Sequence, residues 1–299
     1  MLLSDSGMRE HPLTPMTDSN LVRVLQAQLD PARQVGLIDH RCVGDSAAAV
    51  AQRIAELQGQ GISMAIADAL SNDDLMRLGA AVKGMAVVCA GSGLAMGLPA
   101  NWGIAPSAAA AVLPAAKGHR AIVSGSCSTA TQAQVAAFIA AGGVAWALDP
   151  LVIDDALAAQ IGAWAQQQWQ ASPDAPVLVY STADPAAVQR VQASLGVAAS
   201  GAQVEQALAT VAKTLVAQGA RQLIVAGGET SGACVQALQI DSLRIGGQID
   251  PGVPWCHAAS RLAGIAGLHP AGSAGLHLAL KSGNFGAEDF FSRAFELLP

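Results

Sequence analysis

Charged side chains and aromatic rings are scarce in this sequence, and each shortage excludes a class of protein. Charged residues make up 13% of the 299 residues, and the net charge is −6. Lys and Arg form no cluster, so a nucleic-acid partner is not expected. Aromatic residues make up only 4%, whereas 52% of the residues are hydrophobic. With its many Ala and Gly residues, this composition favours helices packed closely on a sheet over an aromatic-rich β-sandwich.

The sequence also lacks a secretory leader, a membrane-spanning run and paired cysteines. Residues 1–10 have no basic start followed by an apolar core. The longest apolar run, Val135 to Leu148, contains two glycines and is too short to cross a bilayer. The five cysteines are odd in number and never spaced as CxxC. We therefore expect reduced thiols in a cytoplasmic protein that has no membrane partner.

Several catalytic and binding motifs are missing as well. Neither the Walker pattern GxxxxGK[ST] nor the dinucleotide pattern GxGxxG occurs. Ser126 is not in a GxSxG elbow and Cys127 has no His/Asn constellation near it, so no covalent nucleophile is predicted. His257, His269 and His277 lack the spacing of metal ligands. We predict that these histidines lie on a loop surface, and we name no residue as a metal ligand.

Helical and strand periods alternate through the first hundred residues. Strands are predicted over Val35 to Ile38, Ile62 to Ala67 and Met85 to Ala90, the last entering a turn at Gly91-Ser-Gly93. Helices are predicted from Leu21, from Asp45 and after the capping box Ser71-Asn-Asp-Asp74. The order αβαβαβ predicts a parallel sheet with helices packed against it.

A low-complexity stretch with two prolines, residues 101–118, interrupts this alternation and is predicted to be a linker. Residues 1–100 and 119–299 are then two α/β domains with mostly parallel sheets. The second has predicted strands at 121–124, 144–148, 177–180, 223–226, 243–249 and 276–280. It has predicted helices at 129–141, from Pro185, at 202–218 and at 287–297, and residues 255–276 are predicted to form a mobile surface loop.

Three loops of the second domain follow strands and combine Gly with small polar residues. They are Ser124-Gly-Ser-Cys-Ser128, Gly227-Gly-Glu-Thr-Ser-Gly232 and Lys281-Ser-Gly-Asn284. Parallel strands end at one edge of a sheet, where ligands bind, and free backbone N–H groups there suit phosphate oxygens. The simpler alternative is that the glycines only turn the chain. We interpret the loops as a site for a phosphate-bearing ligand, such as a nucleotide.

Individual residues of these loops have alternative interpretations. Thr230 and Ser231 are predicted to cap the helix that follows Gly227 and Gly228. Lys281 is the fixed cation of the site or a solvated lysine at the end of a strand. Glu229 carries a metal-bound water or only favours the helix dipole. Likewise, Asp250-Pro-Gly presents a carboxylate or forms a tight turn.

Five stretches resemble the four-carbon acid sugar kinases. Residues 3–21 are similar to a segment of the 3-oxo-tetronate kinase branch of that family. The stretches that resemble the family's nucleotide-binding domain are Val123-Ser-Gly-Ser-Cys-Ser128, Ile224-Val-Ala-Gly-Gly-Glu-Thr-Ser-Gly232, Ile249-Asp-Pro-Gly-Val-Pro-Trp255 and Leu278-Ala-Leu-Lys-Ser-Gly-Asn-Phe-Gly286.

The resemblance implies that the chain uses ATP with Mg²⁺ in the cytoplasm to phosphorylate the terminal hydroxyl of a four-carbon sugar acid. It places one set of residues where family members hold ATP, and two more directly beside them. The first set is Ser124, Gly125, Ser126, Gly227, Gly228, Glu229, Thr230 and Gly283, and the adjacent pair is Lys281 and Asn284.

The sequence departs from the family pattern in the first domain. Family members begin with a strand and an Asp-Asp-Phe-Thr-Gly-Ala motif that this sequence lacks. Residues 1–100 then correspond to the second half of the sugar-acid-binding domain, and the general base is expected in the absent part. We therefore expect slow turnover by this chain alone.

Two other functions are weighed against the kinase. A catalytically silent nucleotide-binding remnant, or a regulatory partner, would also fit the absence of the Asp-Asp-Phe-Thr-Gly-Ala motif. A dinucleotide-dependent oxidoreductase is disfavoured because GxGxxG is absent. Self-association of the chain is left open.

Overall fold

The structure, a computed structural model, describes residues 1–10, 15–183, 190, 193, 196–260 and 275–298. The chain divides into two compact units, Met1–Pro106 and Ser107–Pro299. This division falls within the stretch 101–118, whose role as a linker stays a prediction.

The first unit is built around β1 (Val35–Ile38) and β2 (Met64–Ala67), which pair in parallel. Its core contains Ile38, Val43, Val50, Leu57, Leu78 and Leu94. The helices are α1 (Leu21–Gln26), α2 (His40–Asp45), α3 (Ala47–Gly59) and α4 (Asn72–Ala81). Short 3₁₀ turns lie at Leu3–Asp5, Gly7–Glu10, Ser92–Met96 and Pro99–Trp102.

One helix start and one strand in this unit differ from the prediction. Asp45 ends α2, and Ser46 caps α3 by accepting a hydrogen bond from the Ala49 N–H at 3.0 Å, so the predicted helix start at Asp45 is wrong. The predicted strand Met85 to Ala90 is also wrong, since these residues have no regular secondary structure. Val87 is 79% exposed, and in the described part of this unit β1 and β2 pair only with each other. An apolar run becomes a strand only where a neighbour accepts its hydrogen bonds.

The capping box at Ser71 is confirmed. Ser71 Oγ accepts a hydrogen bond from the Asp74 N–H at 3.2 Å, and Asp74 Oδ2 accepts one from the Ser71 N–H at 3.0 Å. A hydrogen bond from the backbone N–H of Leu70 is the main cause that holds the pKa of the Asp74 carboxyl below its usual value, and the hydrogen bonds with Ser71 lower this pKa further. The first turn of α4 is therefore satisfied by its own side chains.

Ser71→Ala is expected to lower the free energy of unfolding of the first unit by about 1 kcal/mol, because it removes the N-cap acceptor. Urea denaturation followed by circular dichroism measures the change. Ser71→Thr keeps a hydroxyl in place and serves as the control, with a smaller expected change. Equal stabilities for the alanine and threonine variants would show that the cap contributes nothing.

The second unit contains a mixed sheet of seven strands within the described residues, in the order β4-β5-β3-β6-β9-β8-β7. The strands β4, β5, β3, β6 and β9 run parallel, while β8 is antiparallel to both β9 and β7. The mostly parallel α/β arrangement that the sequence predicts is thus confirmed. The bounds are β3 (His119–Ser124), β4 (Val144–Ala147), β5 (Val177–Tyr180), β6 (Ala220–Ala226), β7 (Ile240–Asp250), β8 (Val253–Ser260) and β9 (Leu276–Lys281).

Helices cover both faces of this sheet. Successive residues of a strand point to opposite faces. Val123 accordingly belongs to the apolar cluster that includes helices 157–171 and 197–217, and Ile122 to the cluster that includes helices 129–140 and 290–293. The helices are α5 (Thr129–Ala140), α6 (Leu157–Ala171), α7 (Val197–Ala217), α8 (Gly228–Ala237) and α9 (Phe290–Arg293). Short 3₁₀ turns lie at Ala108–Ala111, Pro150–Val152 and Ala294–Leu297. No helix in the described ranges is both long enough and apolar enough to cross a membrane.

The predicted surface loop at 255–276 is wrong at both ends. Residues up to Ser260 belong to β8, and Leu276 begins β9. Residues 261–274, including His269, lie outside the described residues, as does the predicted helix start at Pro185. The Gly, Ala and His content suggested a loop, but pairing with β7 and β9 stabilises β8 as a strand.

The predicted surface position of two histidines is wrong for the same reason. His257 and His277 are directly opposite each other on β8 and β9, with ring centroids 5.2 Å apart. His277 is 1% exposed, and its Nε2 lies 2.9 Å from the Pro114 carbonyl oxygen. Burial lowers the pKa of both imidazoles, so the pair fits the interior as neutral rings.

Candidate functional site

The three predicted loops leave three neighbouring parallel strands, β3, β6 and β9, at the same edge of the sheet. The ladder of hydrogen bonds continues into the loops. The Gly125 N–H donates to the Ala226 carbonyl at 3.0 Å, and the Gly227 N–H donates to the Lys281 carbonyl at 2.8 Å. The prediction that these loops share one edge is confirmed. The three loops begin at paired positions of neighbouring strands.

The end of β5 adds polar groups that the sequence analysis missed. The Ser181 N–H donates to the Ser124 carbonyl at 2.9 Å, and the hydroxyls of Ser124 and Thr182 lie 2.8 Å apart. Ser124 is fully buried, so its side chain forms the base of the first loop rather than its exposed surface. The signal in the sequence was the pair Ser181-Thr182 directly after an apolar strand.

The first and second loops meet around the Thr230 side chain, which is 3% exposed. A Cβ on Gly125 would collide with Thr230 Oγ1. A Cβ on Gly227 would lie 2.9 Å from the same oxygen, and Gly227 has a φ of 122°, in the region that favours glycine. Both glycines are therefore required for the backbones to approach this closely.

The start of α8 differs from the predicted cap. Gly227 is the N-cap and makes no side-chain capping bond, while Thr230 and Ser231 are buried in the first turn. The prediction that these two hydroxyl residues cap the helix is therefore wrong. Gly228 is exposed, and a Cβ there would meet no described atom within 4 Å. The uncapped N–H groups and the positive end of the helix dipole thus adjoin open space.

The third loop packs on the first through Gly283. A Cβ on Gly283 would collide with Ser126 Oγ and lie 3.0 Å from Ser128 Oγ. The Gly283 carbonyl accepts hydrogen bonds from Ser128 Oγ at 2.6 Å and from Thr131 Oγ1 at 2.8 Å. Ser126 therefore lies beside the third loop, while Asn284 is exposed.

Lys281 is completely buried, which excludes the solvated alternative. Its ammonium Nζ lies 3.0 Å from Thr131 Oγ1 and 3.1 Å from each of three carbonyl oxygens, which belong to Ser282, Gly283 and Phe285. Burial lowers the pKa of Lys281 to about 8, so the amine is still mostly charged at neutral pH. Its donors are directed to protein oxygens, which favours a positioning role over direct contact with a phosphate.

Three polar residues at the start of α5 hold the third loop and the chain directly after it. Gln134 Nε2 lies within 3.0 Å of the carbonyl oxygens of Phe285, Gly286 and Ala287. Ser128, Thr131 and Gln134 are spaced by three residues, which puts them on one face of the helix. The sequence analysis considered only the apolar period of this helix and so missed these polar residues.

The carboxylates near the loops have different surroundings. Glu229 is exposed in the first turn of α8. Burial is the main cause that raises the pKa of Glu205 on α7. The charge of Glu229 and a hydrogen bond with Glu229 raise this pKa further. Asp250 accepts from the Ala287 N–H at 3.0 Å and pairs with Arg293 at 2.7 Å, so it stabilises the chain beyond the third loop. Within the described ranges, no group of three or more His, Cys, Asp or Glu side chains is arranged to hold a metal.

Comparison with known proteins agrees with the two units. Residues 121–291 match the family described as a nucleotide-binding C-terminal domain, and residues 1–98 match a sugar-binding N-terminal domain. The chain belongs to the four-carbon acid sugar kinase family. All three loops fall within the nucleotide-binding match.

Two curated members of the four-carbon acid sugar kinase family illustrate the similarity. A 3-oxo-tetronate kinase of Pseudomonas fluorescens is 48% identical over 298 residues, which are 98% of this chain and 65% of the relative. One from Cupriavidus necator is 47% identical over 301 residues, 99% of this chain and 66% of the relative. The chain thus spans about two thirds of the length of these relatives.

A solved structure supports the family fold. The crystal structure of a protein from Salmonella typhimurium LT2 is 35% identical and has a TM-score of 0.73. The similarity covers 99% of this chain and 67% of that one.

Proposed function

We propose that this member of the four-carbon acid sugar kinase family binds ATP at the three Gly-containing loops described above. In this proposal it takes part in the phosphorylation of a four-carbon sugar acid. The acceptor in this proposal is the terminal hydroxyl of a 3-oxo-tetronate, and the product is the 4-phosphate. The observation that carries the proposal is the meeting of the three loops at one edge of a parallel sheet. The curated relatives, which are named 3-oxo-tetronate kinases, support the choice of acceptor.

In this proposal, backbone groups rather than side chains hold most of the nucleotide. Gly125 and Ser126 approach from the first loop, Gly227 to Thr230 from the start of α8, and Gly283 with Asn284 from the third loop. N–H groups at a helix start and in glycine loops suit phosphate oxygens. Ser124, which is buried, supports the first loop from below.

The residues at the start of α8 also fit a magnesium complex of the nucleotide. Glu229 is exposed beside Gly228, and Glu205 shares a hydrogen bond with it. Carboxylate and phosphate oxygens are the ligands that Mg²⁺ prefers. We propose that Glu229 helps to hold Mg²⁺, which reduces the negative charge on the phosphates when it is bound.

We propose that the first unit takes part in binding the sugar acid, since residues 1–98 match the sugar-binding N-terminal domain. Phosphoryl transfer depends chiefly on alignment of the hydroxyl with the γ-phosphate and on stabilisation of charge. The residues of the second unit supply the nucleotide side of that alignment.

A coupled assay of ADP release tests the proposal. With ATP, Mg²⁺ and a 3-oxo-tetronate, we expect ADP release that depends on the sugar acid. The same assay without the acid measures ATP hydrolysis by water. Nucleotide binding with equal ADP release in both arms would contradict the proposed transfer and favour a silent nucleotide-binding protein.

A further inference from the structure

Two carbonyl groups of the third loop, those of Ser282 and Gly283, accept hydrogen bonds from protein donors. Lys281 Nζ binds the carbonyl oxygens of Ser282 and Gly283, each at 3.1 Å. The Gly283 oxygen accepts two further hydrogen bonds, from the hydroxyls of Ser128 and Thr131. A buried ammonium and one face of α5 thus set the direction of two successive peptide groups.

This direction determines where the amide groups of the loop point. In a planar trans peptide, the N–H of one residue points opposite to the C=O of the residue before it. Because the Ser282 carbonyl points to Lys281, the Gly283 N–H points away from it. Ser282 and Asn284, on either side of Gly283, are exposed, so the loop reaches the surface at this point.

The same geometry already binds an anion a few residues later. Gln134 Nε2 donates to the Gly286 carbonyl at 2.9 Å, and the next N–H, that of Ala287, donates to the Asp250 carboxylate at 3.0 Å. Directly after the third loop, a carbonyl held by α5 is therefore followed by an amide that binds an anionic oxygen.

We infer that Lys281 is a positioning residue for the nucleotide: with Thr131 of α5 it holds the carbonyls of the third loop, so that the loop's amides face the phosphate oxygens. The inference rests on the proposed function, and it differs from a direct ionic contact between Lys281 and a phosphate. A direct contact would require the ammonium to leave four protein oxygens. The ammonium would exchange hydrogen bonds that it already makes in the interior for the contact with phosphate, so the inward position is favoured.

The two roles differ in the protein without nucleotide. If Lys281 holds the loop, its removal loosens residues 282–287 before any ligand is present. If it only contacts phosphate, its removal weakens binding but leaves the free loop unchanged. Hydrogen–deuterium exchange of the nucleotide-free protein therefore separates the two, and calorimetry with ADP measures the consequence for binding.

The test compares Lys281→Met with Lys213→Met, which removes the same charge from an exposed position on α7. For Lys281→Met we expect faster exchange over 282–287 and a loss of about tenfold or more in ADP affinity, since tenfold corresponds to about 1.4 kcal/mol. Lys213→Met should match the wild type in both measurements. Thr131→Val, which removes the shared hydroxyl, should act like Lys281→Met, and Thr131→Ser should restore wild-type behaviour.

Each result supports or overturns the inference. Weaker ADP binding with unchanged exchange of the free loop overturns it in favour of direct contact, and unchanged binding in Lys281→Met overturns it outright. If Lys281→Met does not fold, the comparison of Thr131→Val with Thr131→Ser decides. If the wild type binds no ADP, the proposed function fails, whereas unchanged loop exchange in the variants contradicts only the holding role.

Discussion

Gly228→Val is expected to lower the affinity for ADP by roughly 100-fold or more, about 2.8 kcal/mol, while the fold stays intact. Gly228 is the first residue of α8 and is exposed, and a Cβ there meets no described atom within 4 Å. The valine side chain therefore fills space that, in the proposed site, belongs to phosphate. Calorimetry with ADP measures the loss, and the thermal midpoint should move by no more than about 2 °C.

Gly232→Val is the matched control. Gly232 lies one turn further along α8, is exposed, and also has no described atom within 4 Å of an added Cβ. The two variants carry the same substitution on the same helix, but only Gly228 adjoins the strand end. Equal affinities for ADP in the two variants would mean that phosphate does not bind at the start of α8.

Gly227→Ala is expected to reduce both stability and ADP affinity. Gly227 has a φ of 122°, and its Cβ would lie 2.9 Å from Thr230 Oγ1. Forcing a side chain into such a conformation costs about 1–3 kcal/mol. Chemical denaturation measures the stability, and calorimetry under native conditions measures the affinity.

Gly201→Ala provides the comparison for the stability effect. Gly201 lies in α7 with no described atom within 4 Å of an added Cβ, so alanine there should preserve or slightly raise stability. A Gly227→Ala protein as stable as the Gly201→Ala protein would contradict the claim that the loop requires glycine at residue 227.

The place of the site could be predicted from sequence because it depends on local patterns. An apolar run followed by Gly and small polar residues marks the end of a buried strand, and parallel strands end at one edge. This reasoning predicts from the sequence alone that Ser126, Gly228 and Gly283 lie at the same edge of the sheet. The order β3, β6, β9 then confirmed that the three strands are neighbours.

The contacts within the site could not be predicted, because they join residues that are distant in sequence. Thr131 and Lys281 are 150 residues apart along the chain, yet their side chains share a hydrogen bond. Nothing in the local pattern around Lys281 distinguishes a buried ammonium from one that binds phosphate. The difference lies in the oxygens that α5 and the loop itself supply.

The pairing partners of the strands could not be predicted from the sequence either. Met85 to Ala90 has the composition of a strand but no partner among the described residues, whereas residues 253–260 look irregular but pair on both sides. A strand requires neighbours for its backbone groups, and local sequence does not show which neighbours exist. The same gap explains why buried His277 was predicted to lie on a surface.

The central claim is that one nucleotide is held by three loops at neighbouring strand ends. Hydrogen–deuterium exchange with and without saturating ADP and Mg²⁺ tests it most directly. We expect slower exchange on binding in all three segments, 125–128, 227–231 and 282–286, with little change in α3 or α4. ADP binding that leaves one or more of these segments unprotected would contradict the claim.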